Sequence, residues 1–419
     1  MPRLLLRSSA AVFTTMSALV ATTILTGPSS AEPFSTAPCA LHRTDAHHSE
    51  GVDTWNPDYT RPTHPLSAVM VFLSFPDAVP RTTPAELVAD HFPATSRYYE
   101  QASYGKFTIH PHPLSRWLRM PRPSAAYGMR RDWSIPLRAA YLRDAFAAAD
   151  PEVDFSHYDI VYLVADPDAP GVDSDATKVV NLDTPVHVDG TDVRRVVTVF
   201  EKHPPDRLVL AHETGHVFDL PDLYHRPVDG KGDWDTYVGD WDLMGSQFGL
   251  SPDLFAWHKW KLGWLDPRQV VCVRGAAPTR LTLEPLSAGP GGPARGAAGA
   301  PAFGLGDGSK LAVVRTGPGA ALAFEARDAS GNDSAACRQG ILVYRVRDDT
   351  TSGNGPIQVI DAHPRTEACW ENSVYPPLAD APVALGESFT VPGDGVQVAV
   401  EGRTASGAWN VKITPAKPD

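Results

Sequence analysis

The chain has 419 residues and a formal net charge of −12, from 37 Lys and Arg against 49 Asp and Glu. This length exceeds what one hydrophobic core usually supports, which predicts two domains. The acidic balance gives no electrostatic basis for binding nucleic acid or an anionic membrane surface, so neither is expected as a partner.

Residues 1–31 have the pattern of a secretory signal peptide. Arg3 and Arg7 form a basic start, residues 10–25 are mostly apolar, and small residues precede the expected cleavage point. The apolar stretch is too short and too rich in threonine for a membrane anchor. Removal of this segment takes away two Arg and no acid, so the charge becomes −12 − 2 = −14. We therefore expect a secreted, extracellular protein without a membrane anchor.

Four cysteines, an even number, are typical of disulfide bonds in an exported chain. Of the three pairings that four cysteines permit, we favour Cys337 with Cys369 and Cys39 with Cys272. The first pair lies inside the C-terminal region, and the second ties the N-terminal arm to the next domain. An alternative role for Cys39 is that of an inhibitory thiolate ligand before activation, which the flanking residues do not favour.

Strands and helices alternate in the first part of the chain. After an irregular N-terminal arm (residues 32–65), the apolar patterns predict strands at 67–75, 107–112, 159–164 and 193–200, and helices at 84–101, 135–149 and 204–216. A further helix with an apolar, aromatic face is predicted to begin at 251–253 and to stop at Gly263. The alternation indicates an α/β arrangement in a catalytic domain that we place at residues 66–267.

Short strand-like runs replace this pattern from residue 268 onward. They lie at 280–283, 310–314, 321–325, 340–346, 396–401 and 409–413. Such runs predict a β-sandwich-like C-terminal domain over residues 268–419, with a flexible Gly-, Ala- and Pro-rich insert at 286–309.

The strongest functional signal is the stretch HETGHVFDLPD at residues 212–222. His212 and His216 are four residues apart, so on a helix they project from one face, a single turn apart. Two imidazoles in this arrangement can hold Zn²⁺, and Glu213 between them is expected to be the general base on a zinc-activated water. One catalytic zinc ion is therefore the predicted cofactor.

A hydrolytic zinc site takes three protein ligands and keeps one position for water. Asp222 is the expected third ligand, because it follows His212 by ten residues and a turn near Pro221 can return it to the metal. His225 is a competing candidate.

Two other features of the sequence bear on the site with less specificity. Tyr224 and Tyr237 both lie near the motif, and either can donate a hydrogen bond to a developing oxyanion. Asp-rich stretches at 166–175 and 229–242 offer ligands of the kind that Ca²⁺ takes, although they show no regular ligand spacing.

The residues HETGHVFDLPDLY (212–224), followed by GDWDLMG (239–245), resemble the immune inhibitor A family of secreted bacterial zinc metallopeptidases. Residues 252–264 (PDLFAWHKWKLGW) resemble the segment that follows this family's zinc site, and weaker similarities extend over about 65–415. The zinc motif alone is also similar to that of snapalysin, a smaller secreted peptidase.

The resemblance implies an α+β fold, in which a metzincin-like domain with a twisted mixed sheet and a zinc-binding helix precedes a β-sandwich. It implies that His212, His216 and Asp222 bind zinc, that Glu213 is the base, and that Met244 lies in the Met-turn beneath the metal. The chain departs from the family in one place, since the position that carries Gly in the family is Asp219 here. That Gly serves a left-handed turn, a conformation that Asp adopts more readily than most residues.

The predicted function is therefore that of a secreted zinc endopeptidase, a monomer that hydrolyses extracellular proteins or peptides. One alternative is a secreted binding module with a vestigial zinc site, and another is a zinc hydrolase of non-peptide amides. The intact Glu213 argues against the first alternative, because a structural zinc site needs no base. The motif by itself does not separate the second from a peptidase, and only the family resemblance favours peptide bonds.

Overall fold

A computed structural model describes residues 38–46, 50–227, 230–289 and 306–416. The predicted signal peptide and most of the predicted insert at 286–309 lie outside these ranges. Over the described ranges the protein is a mixed α+β structure with three sheets and few helices. No helix in this part of the chain has the length and apolar character needed to cross a membrane.

The first sheet has five strands in the order β2-β1-β3-β5-β4. Its strands are β1 (Leu66–Ser74), β2 (Ile109–Arg119), β3 (Ile160–Ala165), β4 (Lys178–Val188) and β5 (Thr191–Val199). All neighbouring strands run parallel except β4, which pairs antiparallel with β5 at one edge of the sheet. The sequence analysis predicted four of these strands and missed β4, whose residues are only partly buried.

Five α-helices accompany the sheets in the described residues. They are α1 (Pro84–His91), α2 (Ala94–Ala102), α3 (Ile135–Ala149), α4 (Val209–Val217) and α5 (Ala256–Leu262). The predicted helix at 84–101 is divided in two, because Phe92 takes the extended conformation favoured before a proline. The helix predicted from residue 204 begins only at Val209, after a non-helical start.

Apolar residues of the central strand β1 point alternately to two hydrophobic cores. Val69, Val71 and Leu73 join α3 on one face of the sheet. Met70 and Phe72 join α1, α2, α4 and α5 on the other face. A strand that is buried on both faces consists of a continuous run of apolar residues, which explains why β1 could be predicted from the sequence.

The remaining strands form two sheets. The second sheet has the order β11-β10-β9-β8-β6, and the third has the order β12-β13-β14-β7. Their bounds are β6 (Val270–Val273), β7 (Thr279–Leu283), β8 (Leu311–Gly317), β9 (Ala320–Arg327), β10 (Gly340–Arg347), β11 (Ile357–Val359), β12 (Ser388–Thr390), β13 (Gln397–Arg403) and β14 (Trp409–Thr414). One face of each sheet contributes to a shared hydrophobic core. The opposite face of the second sheet packs into the same core as α4 and α5.

Disulfide bonds join Cys39 to Cys272 and Cys337 to Cys369, the pairing that the sequence favoured. Cys39 is therefore bonded to another cysteine, and its alternative role as a thiolate metal ligand does not hold in this structure. In residues 38–46 and 50–65 the N-terminal arm has no helix or strand. It is nevertheless held to α5 and the segment after it, since the Trp257 and Trp264 indoles donate to its backbone carbonyls.

Candidate metal centre

The short helix α4 carries His212, Glu213 and His216, and all three side chains are buried. The two imidazole rings face the same side, with their centroids 5.1 Å apart. The helix ends at Val217, and Asp219 then adopts a left-handed backbone conformation with φ 65°. This is the conformation that the family resemblance implied for the position, and it turns the chain back toward the two histidines.

This turn brings Asp222 next to the two histidines. Its Oδ1 atom lies 3.2 Å from Nε2 of His212 and 3.1 Å from Nε2 of His216. In a tetrahedral zinc site with bonds of ~2.0–2.1 Å, two ligand atoms are separated by about 3.3 Å. The distances from Oδ1 to the two imidazole nitrogens are therefore close to those between ligands of one tetrahedral ion. They form one group whose ligand atoms all lie within 4.8 Å of one another, and His225 is not part of it.

Backbone carbonyls orient both imidazoles. Nδ1 of His212 lies 2.9 Å from the oxygen of Leu243, and Nδ1 of His216 lies 2.8 Å from the oxygen of Leu220. Because a carbonyl only accepts, each Nδ1 donates and carries a proton, so Nε2 is the nitrogen that offers a lone pair to a metal when the ring is neutral. This arrangement of the second ring nitrogen is the usual one in metal-binding histidines.

The Asp222 carboxylate favours positive charge at this place. Burial opposes protonation of His216, but the nearby Asp222 carboxylate outweighs it and raises the His216 pKa to about 10. Burial acts against ionisation of Asp222, yet the two histidines lower its pKa far below the ordinary value. A divalent metal ion can take over this positive charge, with both imidazoles then neutral.

Glu213 lies beside these three side chains but is not one of the candidate metal ligands. The backbone N–H of Val179, on the edge strand β4, donates to its Oε2 at 2.8 Å. Burial raises the pKa of Glu213, although the two histidines act in the opposite direction. The carboxyl group is thus oriented by the sheet, and only 8% of the residue is exposed.

Two cavities meet at the candidate centre. The first, of about 300 Å³, is lined by α4 and β4, by Glu50 of the N-terminal arm and by Ser352 of the loop between β10 and β11. The second, of about 370 Å³, extends past the chain that follows Met244 as far as Phe248. His212 and Glu213 line both cavities, so each of them opens onto the candidate centre. Sequence reasoning missed Glu50 and Ser352, which carry no local motif.

Of the two candidate oxyanion donors, the structure brings only Tyr224 to the site. Tyr224 lines both cavities, and its ring lies parallel to that of His212 with the centroids 6.5 Å apart. Burial and then the Asp222 carboxylate raise its pKa well above the ordinary value, so the phenol keeps its proton. Tyr237 lines neither cavity and packs instead against His225.

Met244 lies against the inner side of α4. It is fully buried, and a Cβ atom placed on Gly215 would come within 2.5 Å of its sulfur atom. The tight turn around it is closed by the N–H groups of Gly245 and Ser246, which donate to the carbonyl oxygen of Asp242. Gly215 is therefore a residue that the packing requires, and nothing in the zinc motif itself indicated this.

Asp219 forms an ion pair that the sequence did not suggest. Its Oδ2 lies 2.9 Å from Nζ of Lys261 on α5, and neither side chain is exposed. The same oxygen accepts the backbone N–H of Asn56 at 3.1 Å. The residue that departs from the family pattern thus links the turn of the candidate centre to α5 and to the N-terminal arm.

The Asp-rich stretches add no second metal group in the described residues. Among these, only His212, His216 and Asp222 form a convergent set of three or more such side chains. Calcium at 166–175 or 229–242 stays an untested prediction.

The chain matches no protein-family profile and no curated protein. Among solved structures it is similar to the crystal structure of wild-type OgpA from Akkermansia muciniphila, with 12% sequence identity and a TM-score of 0.26. The match covers 85% of this chain and 95% of that chain. A TM-score this low carries no argument about fold or function.

Proposed function

We propose that this protein is a secreted zinc-dependent endopeptidase with a metzincin-like catalytic domain. The observation that carries the proposal is the convergence of His212 Nε2, His216 Nε2 and Asp222 Oδ1 beside the buried carboxyl group of Glu213. Two imidazoles and one carboxylate are a donor set that zinc takes in hydrolases. When bound by these three residues, Zn²⁺ would polarise the scissile carbonyl and lower the pKa of water.

The chain's own residues supply the proton transfers. Glu213 accepts a proton from the attacking water and passes it to the nitrogen of the leaving amine. The N–H group of Val179 holds Oε2 of Glu213, so Oε1 is free of that bond and can receive the proton. The phenol of Tyr224 is on the same cavity wall and supplies a hydrogen bond to the developing oxyanion.

The shape of the site favours a long substrate. One cavity reaches Glu50 and Ser352 and the other reaches Phe248, so together they offer room for several substrate residues beside Glu213. Since β4 is an edge strand, its outer backbone groups can pair with an extended peptide. These features favour cleavage inside a polypeptide over removal of a terminal residue.

The two disulfide bonds support an extracellular location, because such bonds persist in oxidising compartments. Together with the predicted signal peptide, they lead us to propose secretion. We propose that the released protein acts as a monomer without a membrane anchor.

The proposal is tested with the purified mature protein, its zinc content, and its action on casein and a broad peptide library. Glu213→Gln should keep its zinc, yet lose activity by about 10²–10⁴-fold, because an amide cannot accept the proton. Asp222→Ala should lose most of the zinc, whereas His225→Ala, a matched control three residues away, should retain it. A chelator should abolish cleavage, and added zinc should restore it.

Two results would contradict this proposal. Zinc-loaded wild-type protein that cleaves no member of the library is not a peptidase, and a binding module or a hydrolase of other amides would remain. Activity in Glu213→Gln equal to that of the wild type would refute the role of this residue as the base.

A further inference from the structure

A loop from the second sheet reaches the candidate metal centre. This loop, residues 348–356, connects β10 to β11, and it lies about 130 residues beyond the zinc motif. Within it, Ser352 lines the same cavity as Asp222 and Glu213.

The loop holds Asp222 at both its backbone and its side chain. The N–H of Asp222 donates to Oγ of Ser352 at 2.9 Å, and its carbonyl oxygen accepts the N–H of Gly353 at 3.0 Å. The Ser352 hydroxyl also lies 3.5 Å from Oδ2 of Asp222. The contact continues along the chain, since Arg226 N–H donates to the Gly353 carbonyl oxygen at 3.0 Å.

These contacts matter because Asp222 lies outside the regular secondary structure. The residue follows Pro221 in a segment that is neither helix nor strand, so no helical hydrogen bonds orient it. One carboxylate oxygen, Oδ1, faces both imidazoles, while the other, Oδ2, faces the Ser352 hydroxyl. Groups that hold the outer side of a metal ligand set its orientation and its affinity for the ion.

We infer that Ser352 is a positioning residue of the metal centre, whose hydroxyl holds Asp222 with Oδ1 turned toward His212 and His216. This inference rests on the proposed zinc site. It makes the second sheet a contributor to the centre, because the loop that orients the third ligand belongs to that sheet.

The test compares three variants of the mature protein in their affinity for zinc, measured by competition with a chromophoric chelator. Ser352→Ala should weaken zinc binding by about 10–100-fold, the range found when outer partners of metal ligands are removed. Ser352→Thr keeps the hydroxyl and should restore most of the affinity. Thr351→Ala is the matched control, because the Thr351 hydroxyl accepts a bond from Asn354 within the same loop and does not contact Asp222.

Two further readouts separate positioning from general stability. The visible spectrum of the Co²⁺-substituted protein should change in Ser352→Ala and not in Thr351→Ala, because only the first alters the ligand geometry. Hydrogen exchange at the Asp222 amide should accelerate in Ser352→Ala, since this amide loses its acceptor. Should Ser352→Ala not fold, Ser352→Cys replaces it, with a weaker hydrogen-bonding group of similar size and an expected intermediate affinity.

Wild-type zinc affinity and an unchanged cobalt spectrum in a folded Ser352→Ala protein would overturn the inference. So would an equal loss of affinity in Thr351→Ala, which would indicate that only the integrity of the loop matters. A wild-type protein that binds zinc but cleaves no peptide refutes the peptidase proposal alone, and the affinities still decide the role of Ser352. A wild-type protein that binds no zinc refutes both.

Discussion

Replacement of Asp219 by Asn should reduce the free energy of unfolding by about 3–5 kcal/mol, because it leaves a buried lysine charge without its partner. In the native structure Nζ of Lys261 lies 2.9 Å from Oδ2 of Asp219, and both side chains have an exposure of 0%. Asn tolerates the left-handed conformation and keeps an oxygen for the N–H of Asn56. The substitution therefore removes the charge and little else.

The double variant Asp219→Asn with Lys261→Met removes both charges and should behave in the opposite way. Removing both charges of a buried ion pair is often neutral or stabilising by about 1–4 kcal/mol, because the cost of desolvating the two charges disappears with them. The lysine's bond to the Gly51 carbonyl is lost as well, which offsets about 1 kcal/mol of this gain.

We therefore expect the double variant to be at least as stable as the wild type at pH 7. Relative to Asp219→Asn alone it should be more stable by about 3–5 kcal/mol, because the unpaired lysine charge is absent.

Urea unfolding followed by tryptophan fluorescence measures these differences, with a chelator in every sample so that metal binding does not contribute. The reasoning fails if Asp219→Asn is as stable as the wild type. It also fails if the double variant is no more stable than that single variant.

Two further predictions concern packing and covalent links. Gly215→Ala should destabilise the protein by about 1–3 kcal/mol, because its Cβ would lie 2.5 Å from the sulfur of Met244; thermal unfolding that matched the wild type would contradict this. Replacing both Cys39 and Cys272 by Ala should cost about 5 kcal/mol in the chain-entropy model, against about 4 for the other disulfide, because the closed loops span 233 and 32 residues. Denaturant unfolding of the two double variants checks the order, and a greater loss from the shorter loop would contradict it.

The local part of the candidate centre could be predicted from residue spacing. A spacing of four residues on a helix brings His212 and His216 to one face whatever surrounds them, because helical geometry depends only on the backbone. The turn that returns Asp222 is also encoded locally, by a left-handed Asp219 and the proline that follows soon after. The continuous apolar run of β1 likewise predicted a strand. The cysteine pairing that we favoured is also present in the structure, although it joins residues as far as 233 apart.

The tertiary structure alone decided which distant residues complete the centre. Ser352 orients Asp222, the Val179 amide binds Glu213, and Lys261 pairs with the Asp219 carboxylate. Each of these partners lies at least 34 residues away along the chain. Two tyrosines near the motif were equivalent in the sequence, and only chain folding brings Tyr224 rather than Tyr237 to the cavities. Spacing along a chain predicts contacts within a few residues, where the backbone limits the geometry. Contacts between residues tens of positions apart or more depend on how sheets and helices pack, and no pattern in the sequence marks the side chains that make them.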